Sequence, residues 1–288
     1  MSLASGIAYR MKATRWRMLR ATRRTVTLQT QQGRLTVYTR DDVIARLLFM
    51  ERRYQQDTAD HTLAFLRGQG LMPPRGRGTM LDVGANLGVI SIGMLVNGDI
   101  DAAVGIEPDP DNYALLERNI AQNRCGDRYT PIRVAATDRA GDLELALSRH
   151  NLGDHRVQRP GAAQAGREVI TVPARPIDEI IGRLPTATAD AISLVWIDVQ
   201  GHEGHVFAGG AELFSRDIPV VSEVWPYGIL RSGMELEQFC RMAQRYWSSY
   251  WVWRRAQRYV QYSITDLPKF CEELGSAGAH DDVIFTRD

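Results

Sequence analysis

The sequence is poor in cysteine, in long apolar runs and in net charge, and each shortage removes a class of protein. Only Cys125, Cys240 and Cys271 occur in 288 residues. They are odd in number and far apart, so neither a disulfide framework nor a metal-ligand spacing is visible, and a reducing, cytoplasmic setting is expected. No apolar run approaches the roughly 18 residues that span a bilayer. The N-terminus has no apolar signal-peptide core. A formal net charge of +1 predicts no strong overall attraction for nucleic acid, and DNA is not expected as a partner. No repeat recurs, and no G-x-S-x-G nucleophile turn is present. His202-Glu203-Gly204-His205 is not the H-E-x-x-H of a metalloprotease, because the second histidine stands three residues on instead of four. Asp198, His202 and Glu223 are metal-binding types, yet no metal is expected. What remains, 44% hydrophobic and 24% charged residues, suits one large globular domain with appendages.

The most informative stretch is Met80-Leu-Asp-Val-Gly-Ala-Asn-Leu-Gly88. An apolar run from Thr79 to Val83 ends in glycine, and a second apolar run from Val89 to Val96 follows, which predicts strand, tight turn and helix. Gly84 permits the sharp turn and a close approach of ligand to backbone. Gly88 permits close packing of the helix start on the sheet. The dinucleotide fingerprint G-x-G-x-x-G fails here: Asn86 stands where the second glycine would admit a pyrophosphate. Asp82, Gly84 and Gly88 instead resemble the D-x-G-x-x-x-G turn with which class I methyltransferases bind S-adenosylmethionine. A second apolar run, Val104 to Ile106, ends in Glu107-Pro108, about 20 residues after the turn, where an acid takes ribose hydroxyls in such folds. A carboxylate accepts from both vicinal hydroxyls.

Ahead of this unit, Arg10, Lys12, Arg15, Arg17, Arg20, Arg23 and Arg24 are basic and the first acid is Asp41. The segment is either a solvated or partner-packed helix or a site for RNA or another anionic surface. Thr25–Thr30 and Leu35–Tyr38 alternate around Gln31-Gln-Gly33 and predict a hairpin. Asp41-Asp42 can cap a helix over Val43–Met50, and a second helix is expected over Thr58–Arg67. The Pro/Gly-rich stretch from Gly70 to Gly78 closes this 1–78 cap and opens a 79–288 domain. Beyond Glu107, Pro131 to Ala136 predicts a third parallel strand, whose carboxyl end sets Ala136 and Asp138 beside an adenine. Asp142–Leu147 and Val169–Val172 are further strands. Between them, Ser148–Gly166, with Arg149, His150, His155, Arg156 and Arg159, is a long loop that either contacts substrate or is merely exposed. Pro176-Ile-Asp178 starts a helix, with Asp178 structural. Ala191–Ile197 is a buried strand ending in Asp198, and Val220–Val224 is another, carrying Glu223. Ser249–Trp253 and Val283–Thr286 close the sheet, with a helix over Leu267–Gly275. The α/β alternation implies a doubly wound, mostly parallel Rossmann-like sheet.

Methyl transfer from a sulfonium needs a positioned acceptor and, for a hydroxyl, a base. Asp198, His202, Glu203 and Glu223 stand at the right strand ends. His202 is matched to proton transfer near neutrality, and Glu223 is a base, an orienting partner of His202 or a substrate ligand.

With Leu81–Gly88, Gly105-Ile-Glu107-Pro, Pro176-Ile-Asp178-Glu, Trp196-Ile-Asp-Val-Gln-Gly-His-Glu203 and Ser222-Glu223 assembled, residues 43–225 resemble the FkbM-type family of methyltransferases. Trp196 and Gln200 depart from the lysine and glutamate of that family's fourth-strand motif. The resemblance implies a class I fold with an antiparallel seventh strand, S-adenosylmethionine as donor, and O-methylation of a sugar, polyketide or other secondary-metabolite hydroxyl. It places the cofactor against Asp82, Gly84, Ala85, Asn86, Gly88, Glu107 and Pro108, and the acceptor against Asp198, His202, Glu203 and Glu223. The expected partners are a small-molecule or glycan hydroxyl and a second copy of the chain. The competing readings are an RNA methyltransferase that uses residues 10–24 and a non-catalytic nucleotide-binding protein.

Overall fold

The computed structural model describes residues 3–158, 166–254 and 257–287, with side chains from residue 8 onward. The chain opens with helix α1 (Leu3–Thr22), the hairpin β1 (Thr25–Thr30) and β2 (Gly33–Tyr38), and helices α2 (Ile44–Glu51) and α3 (Gln56–Gly68). It then alternates through β3 (Thr79–Val83), α4 (Val89–Val96), β4 (Ala102–Ile106), α5 (Pro110–Gln122) and β5 (Tyr129–Ile132). Strands β6 (Ala135–Thr137), β7 (Gly141–Leu147), β8 (Arg156–Gln158) and β9 (Glu168–Pro176) follow, then the short helices α6 (Ile177–Ile181) and α7 (Thr186–Asp190). The chain continues with β10 (Ile192–Ile197), α8 (Glu203–Ala208), β11 (Val220–Val224), α9 (Pro226–Ser232) and α10 (Leu236–Tyr246). It ends with β12 (Ser249–Arg254), β13 (Arg258–Ser263), α11 (Leu267–Leu274) and β14 (Asp281–Thr286).

The main sheet runs β13-β12-β14-β11-β10-β3-β4-β5. Strands β5, β4, β3, β10 and β11 are parallel neighbours. Strand β14 is inserted antiparallel between β11 and β12. This is the doubly wound α/β sheet with the expected antiparallel closing strand. Both faces are covered, so alternate residues feed two cores. Met80 and Trp196 join the core shared with the N-terminal elements, including Leu35, Leu48 and Leu63. Leu81, Val83, Val195 and Ile197 join the opposite core of Phe207, Phe239 and Phe285.

Two expectations change. Pro131 to Ala136 is not one strand. Strand β5 stops at Ile132 on the sheet edge, where a proline costs no ladder bond. The chain then turns, and β6 pairs with β9 through Ala135 and Ala174. The strands at 142–147 and 169–172 lie in a separate four-stranded sheet, β6-β9-β7-β8. Strand β13 was not anticipated. Helix α3 packs on it and on β12: Phe65 meets Trp251 of β12 and Tyr259 of β13 with ring centroids 4.9 and 4.5 Å away.

Amide side chains, not another strand, meet the free edge of β2. Asn119 Oδ1 accepts from Thr36 N at 2.7 Å and Asn123 Oδ1 from Arg34 N at 2.8 Å. Asn119 Nδ2 donates to Leu87 O at 2.9 Å, which ties the hairpin to the glycine turn. Asn119 is fully buried. Asn119→Ala therefore leaves Thr36 N and Leu87 O without these partners, and should lower unfolding stability by about 2 kcal/mol or more. A urea midpoint indistinguishable from the parent would show that these amides do not hold the hairpin.

Candidate active site

The site is built where β3 and β10 end side by side. Gly84 follows β3 with φ +90°, and a Cβ there would lie 2.0 Å from the carbonyl oxygen of Asp198. Only glycine lets the two chain exits touch. Asp198 N in turn donates to Val83 O at 2.9 Å. The amides of Gly84 and Ala85 both donate to Ile106 O at 2.9 Å, binding the turn to the end of β4. Glu107 completes it: Oε2 accepts from Asn86 N and Oε1 from Asp109 N, each at 2.8 Å. Each oxygen uses one lone pair on the backbone and keeps one for a ligand. Asp82 accepts from Ser91 Oγ at 2.5 Å, and that hydroxyl meets Tyr129 OH at 2.8 Å.

Above these residues opens a cleft with a cavity volume of about 150 Å³. Asp82, Gly84, Ala85, Asn86, Glu107, Pro108, Ala136, Asp198 and His202 line it. Gly88, Asp138, Glu203 and Glu223 do not. Gly88 (φ +84°) admits the side chains of Ile92 and Leu116, so its neighbours are helices α4 and α5 instead of the sheet. Asp138 lies behind the wall, taking a hydrogen bond from Thr137 Oγ1 and standing 3.7 Å from His205 Nδ1. Glu203 is fully buried and shapes the loop after β10: Oε1 accepts from Val199 N and Gly201 N, both at 3.1 Å.

His202 is not the near-neutral group its type suggests. Its ring is buried, stacks on His205 at 4.3 Å, and pairs through Nε2 with Thr137 Oγ1 at 2.9 Å. Burial, then the neighbouring His205, holds its pKa well below the usual imidazole range. A neutral, weakly basic ring is a wall of the cleft and a poor proton acceptor.

The acids shift the other way. Burial pushes Asp82 up to about 7, with Asp198 adding to it. Burial pushes Glu107 up to about 8 against the two amides that pull it down. Glu223, on β11 beside Asp198, is pushed up to about 10 by burial and then by Asp198, Glu203 and Asp282. Its Oε1 stands 3.6 Å from Nε2 of the exposed His280. Burial raises Asp198 as well, while Gln200 Nε2 donates to its Oδ1 at 2.6 Å. So many adjacent carboxyls cannot all ionise, and the group shares protons. Among the described residues no three His, Cys, Asp or Glu side chains converge as a metal site.

Several cleft residues carried no signal in the sequence. Ile44 and Tyr54 reach it from the N-terminal elements, and Asn112 from α5. The described part of the long loop lines it through Asn151, Leu152, Gly153 and His155, while Arg159 lies outside the described residues. Asn86 and Asn112 donate to Leu152 O at 3.4 and 3.0 Å, and the Oδ1 atom of each is buried without a partner. Their spacing, 26 residues across two elements, follows no motif.

The cleft is thus rich in acceptors, and among the described residues no Lys or Arg lines it. Buried acceptors without donors are costly. They fit a ligand that carries positive charge, hydroxyls and amino groups, as S-adenosylmethionine does, and they repel a pyrophosphate.

A family model, the methyltransferase FkbM domain, matches residues 82–263. No curated protein matches the chain. Among solved structures, similarity extends to the methyltransferase FkbM from Methylobacillus flagellatus KT, at 20% identity and TM-score 0.37 over 54% of this chain. The alignment spans 34%, about a third, of that protein's length. A precorrin-6y C5,15-methyltransferase from Geobacter metallireducens GS-15 aligns at 9% identity and TM-score 0.41, covering 81% of this chain and 89% of its own. An M. jannaschii tRNA m1G37 methyltransferase aligns at 9% and 0.44, covering 93% and 58%.

Asp82 and Glu107 keep protons to about 7 and about 8 in the folded chain, whereas unfolded carboxyls lose theirs near 4. Between those limits the folded state binds more protons, so stability falls as pH rises. Urea unfolding should show a loss of at least about 2 kcal/mol between pH 5 and pH 8, and Glu107→Gln should make the slope shallower. Equal stability at both pH values in the parent would refute the buried protons.

Proposed function

This chain belongs to the FkbM methyltransferase family, and from that premise we propose that it transfers a methyl group from S-adenosylmethionine to a hydroxyl of a small molecule, a sugar or glycan, or a secondary metabolite. The observation that carries the reading is the cleft over Gly84, acceptor-rich and free of Lys and Arg among its described lining residues, with the Glu107 carboxylate at its base. When bound, the cofactor supplies a sulfonium methyl whose leaving group is a neutral thioether.

The residues divide the remaining work. Glu107, on releasing its proton, takes the ribose hydroxyls with the lone pair left free on each oxygen. Asn86 and Asn112 offer their unpartnered Oδ1 atoms to ligand amino or hydroxyl groups. Asp82 and Asp198 supply negative charge opposite the sulfonium, and that positive charge favours their ionised forms. Ala136 and Pro108, which line the cleft, would hold the adenine. On the acceptor side Asp198 is the carboxyl that lines the cleft, and its charge acts on Glu223 and Asp282, which face each other on β11 and β14. Glu223, at about 10, keeps its proton at neutral pH, which leaves Asp198 to accept the hydroxyl proton. Glu203 positions the Asp198 loop and His202 walls it. Residues 1–78 act as a cap that contributes Ile44 and Tyr54, and residues 79–288 form the methyltransferase unit.

Calorimetry with S-adenosylmethionine tests this without knowledge of the acceptor. Binding to the parent chain should release protons, seen as a heat that varies with the ionisation enthalpy of the buffer, and should tighten as pH rises toward 8. Glu107→Ala should weaken it at least about thirtyfold while circular dichroism stays unchanged. Failure to bind the cofactor, or preferential binding of a pyrophosphate-linked dinucleotide, would reject the reading.

A further inference from the structure

We propose that α1 is a docking surface for an anionic lipid bilayer. The helix spans 20 residues, Leu3–Thr22, about 30 Å at the helical rise. One side is fastened to the body. Trp16 is buried against Phe49 with ring centroids 5.2 Å apart, Lys12 Nζ donates to Met50 O at 2.8 Å, and Arg20 pairs with Asp42. That pairing accounts for a basic residue on the same side of the helix as the buried Trp16.

The other side has no such contact. Met11 and Met18, seven residues apart and so two turns along one stripe, are 69% and 62% exposed. With Arg10, Thr14 and Arg15 they line a shallow open depression along the helix. Among the described residues Arg10, Arg15 and Arg17 make no ion pair, and no acid precedes Asp41 in the sequence. Unbranched apolar side chains flanked by guanidiniums, exposed to water, match an acyl-chain boundary beneath anionic headgroups. A single-stranded nucleic acid would use the same cations but would call for aromatic stacking platforms. The Met11–Met18 stripe holds no aromatic ring, Trp16 points into the body, and the exposed Tyr9 is a single ring off that stripe and not a run of stacking platforms. At 20 residues with basic residues throughout, the helix lies on a surface and does not cross it; no helix of the described residues is long and apolar enough to span a membrane. The proposal stands apart from methyl transfer, because its residues touch none of the cleft.

Co-sedimentation of the full chain with vesicles tests it. Phosphatidylcholine vesicles containing about a third phosphatidylglycerol should bind at least tenfold more protein than phosphatidylcholine alone, and the excess should shrink with added salt. Arg10→Glu with Arg15→Glu should abolish the excess. Met11→Ser with Met18→Ser should weaken binding several-fold at unchanged charge, with unchanged thermal unfolding because these side chains are solvent-exposed. Equal or absent binding to both vesicles overturns the proposal. So does a methionine double variant that binds vesicles as the parent does, for the surface is then a general polyanion patch such as RNA would use. A parent dimer that dissociates when the methionines are replaced would assign the stripe to a second copy, and also overturns it.

Discussion

The architecture depends on one close approach, that of the backbone at Gly84 to the carbonyl of Asp198. Two parallel strands that end at the same level normally diverge into their own loops. Here the missing Cβ at Gly84 lets the exits of β3 and β10 touch, and everything that binds or reacts is measured from that contact. The turn amides reach back to Ile106, Glu107 is thereby set beneath Asn86, and the loop after β10 is folded over Glu203. Gly201, with φ +98°, repeats the device one layer out, where a Cβ would lie 2.4 Å from the carbonyl carbon of Gly228. The cleft therefore stands between rigid backbone segments, which suits a reaction governed by alignment of donor and acceptor.

Electrostatics follow from that geometry. Five carboxyls, Asp82, Glu107, Asp198, Glu203 and Glu223, are gathered near the strand ends, each shifted upward first by burial. Apart from His280 beside Glu223 and Arg231 near Glu203, the fold offers them backbone amides, the Gln200 amide and the Ser91 hydroxyl. Such a cluster is poorly satisfied by itself, and its protons are exchangeable for a cationic ligand. The same feature weakens the folded state and prepares the site, a combination common where strain or unfavourable charge is retained for function.

The elements carried by local pattern were legible in the sequence: the strand–glycine–helix unit at 79–96, the acid after β4, the apolar β10 and the closing strands. Their signals are short-range, because periodicity and glycine placement act within a few residues. What escaped depends on contacts distant in sequence. Pro131–Ala136 has the composition of one strand, but pairing with β9 draws its second half into another sheet. His202 has the right residue type beside the right strand, and only the packing of Thr137 and His205 reveals a buried ring. Tyr54 and Asn112 enter the cleft from elements whose own sequences advertise nothing but a cap and a helix.

The amide edge laid by α5 along β2 also has a consequence in time. The partners Thr36 and Asn119 are 83 residues apart. During synthesis at roughly 5–20 residues per second, the ribosome delivers the hairpin several seconds before the side chains that satisfy its outer edge. For that interval the nascent hairpin presents unpaired main-chain groups, and its completion waits on a helix still to be translated.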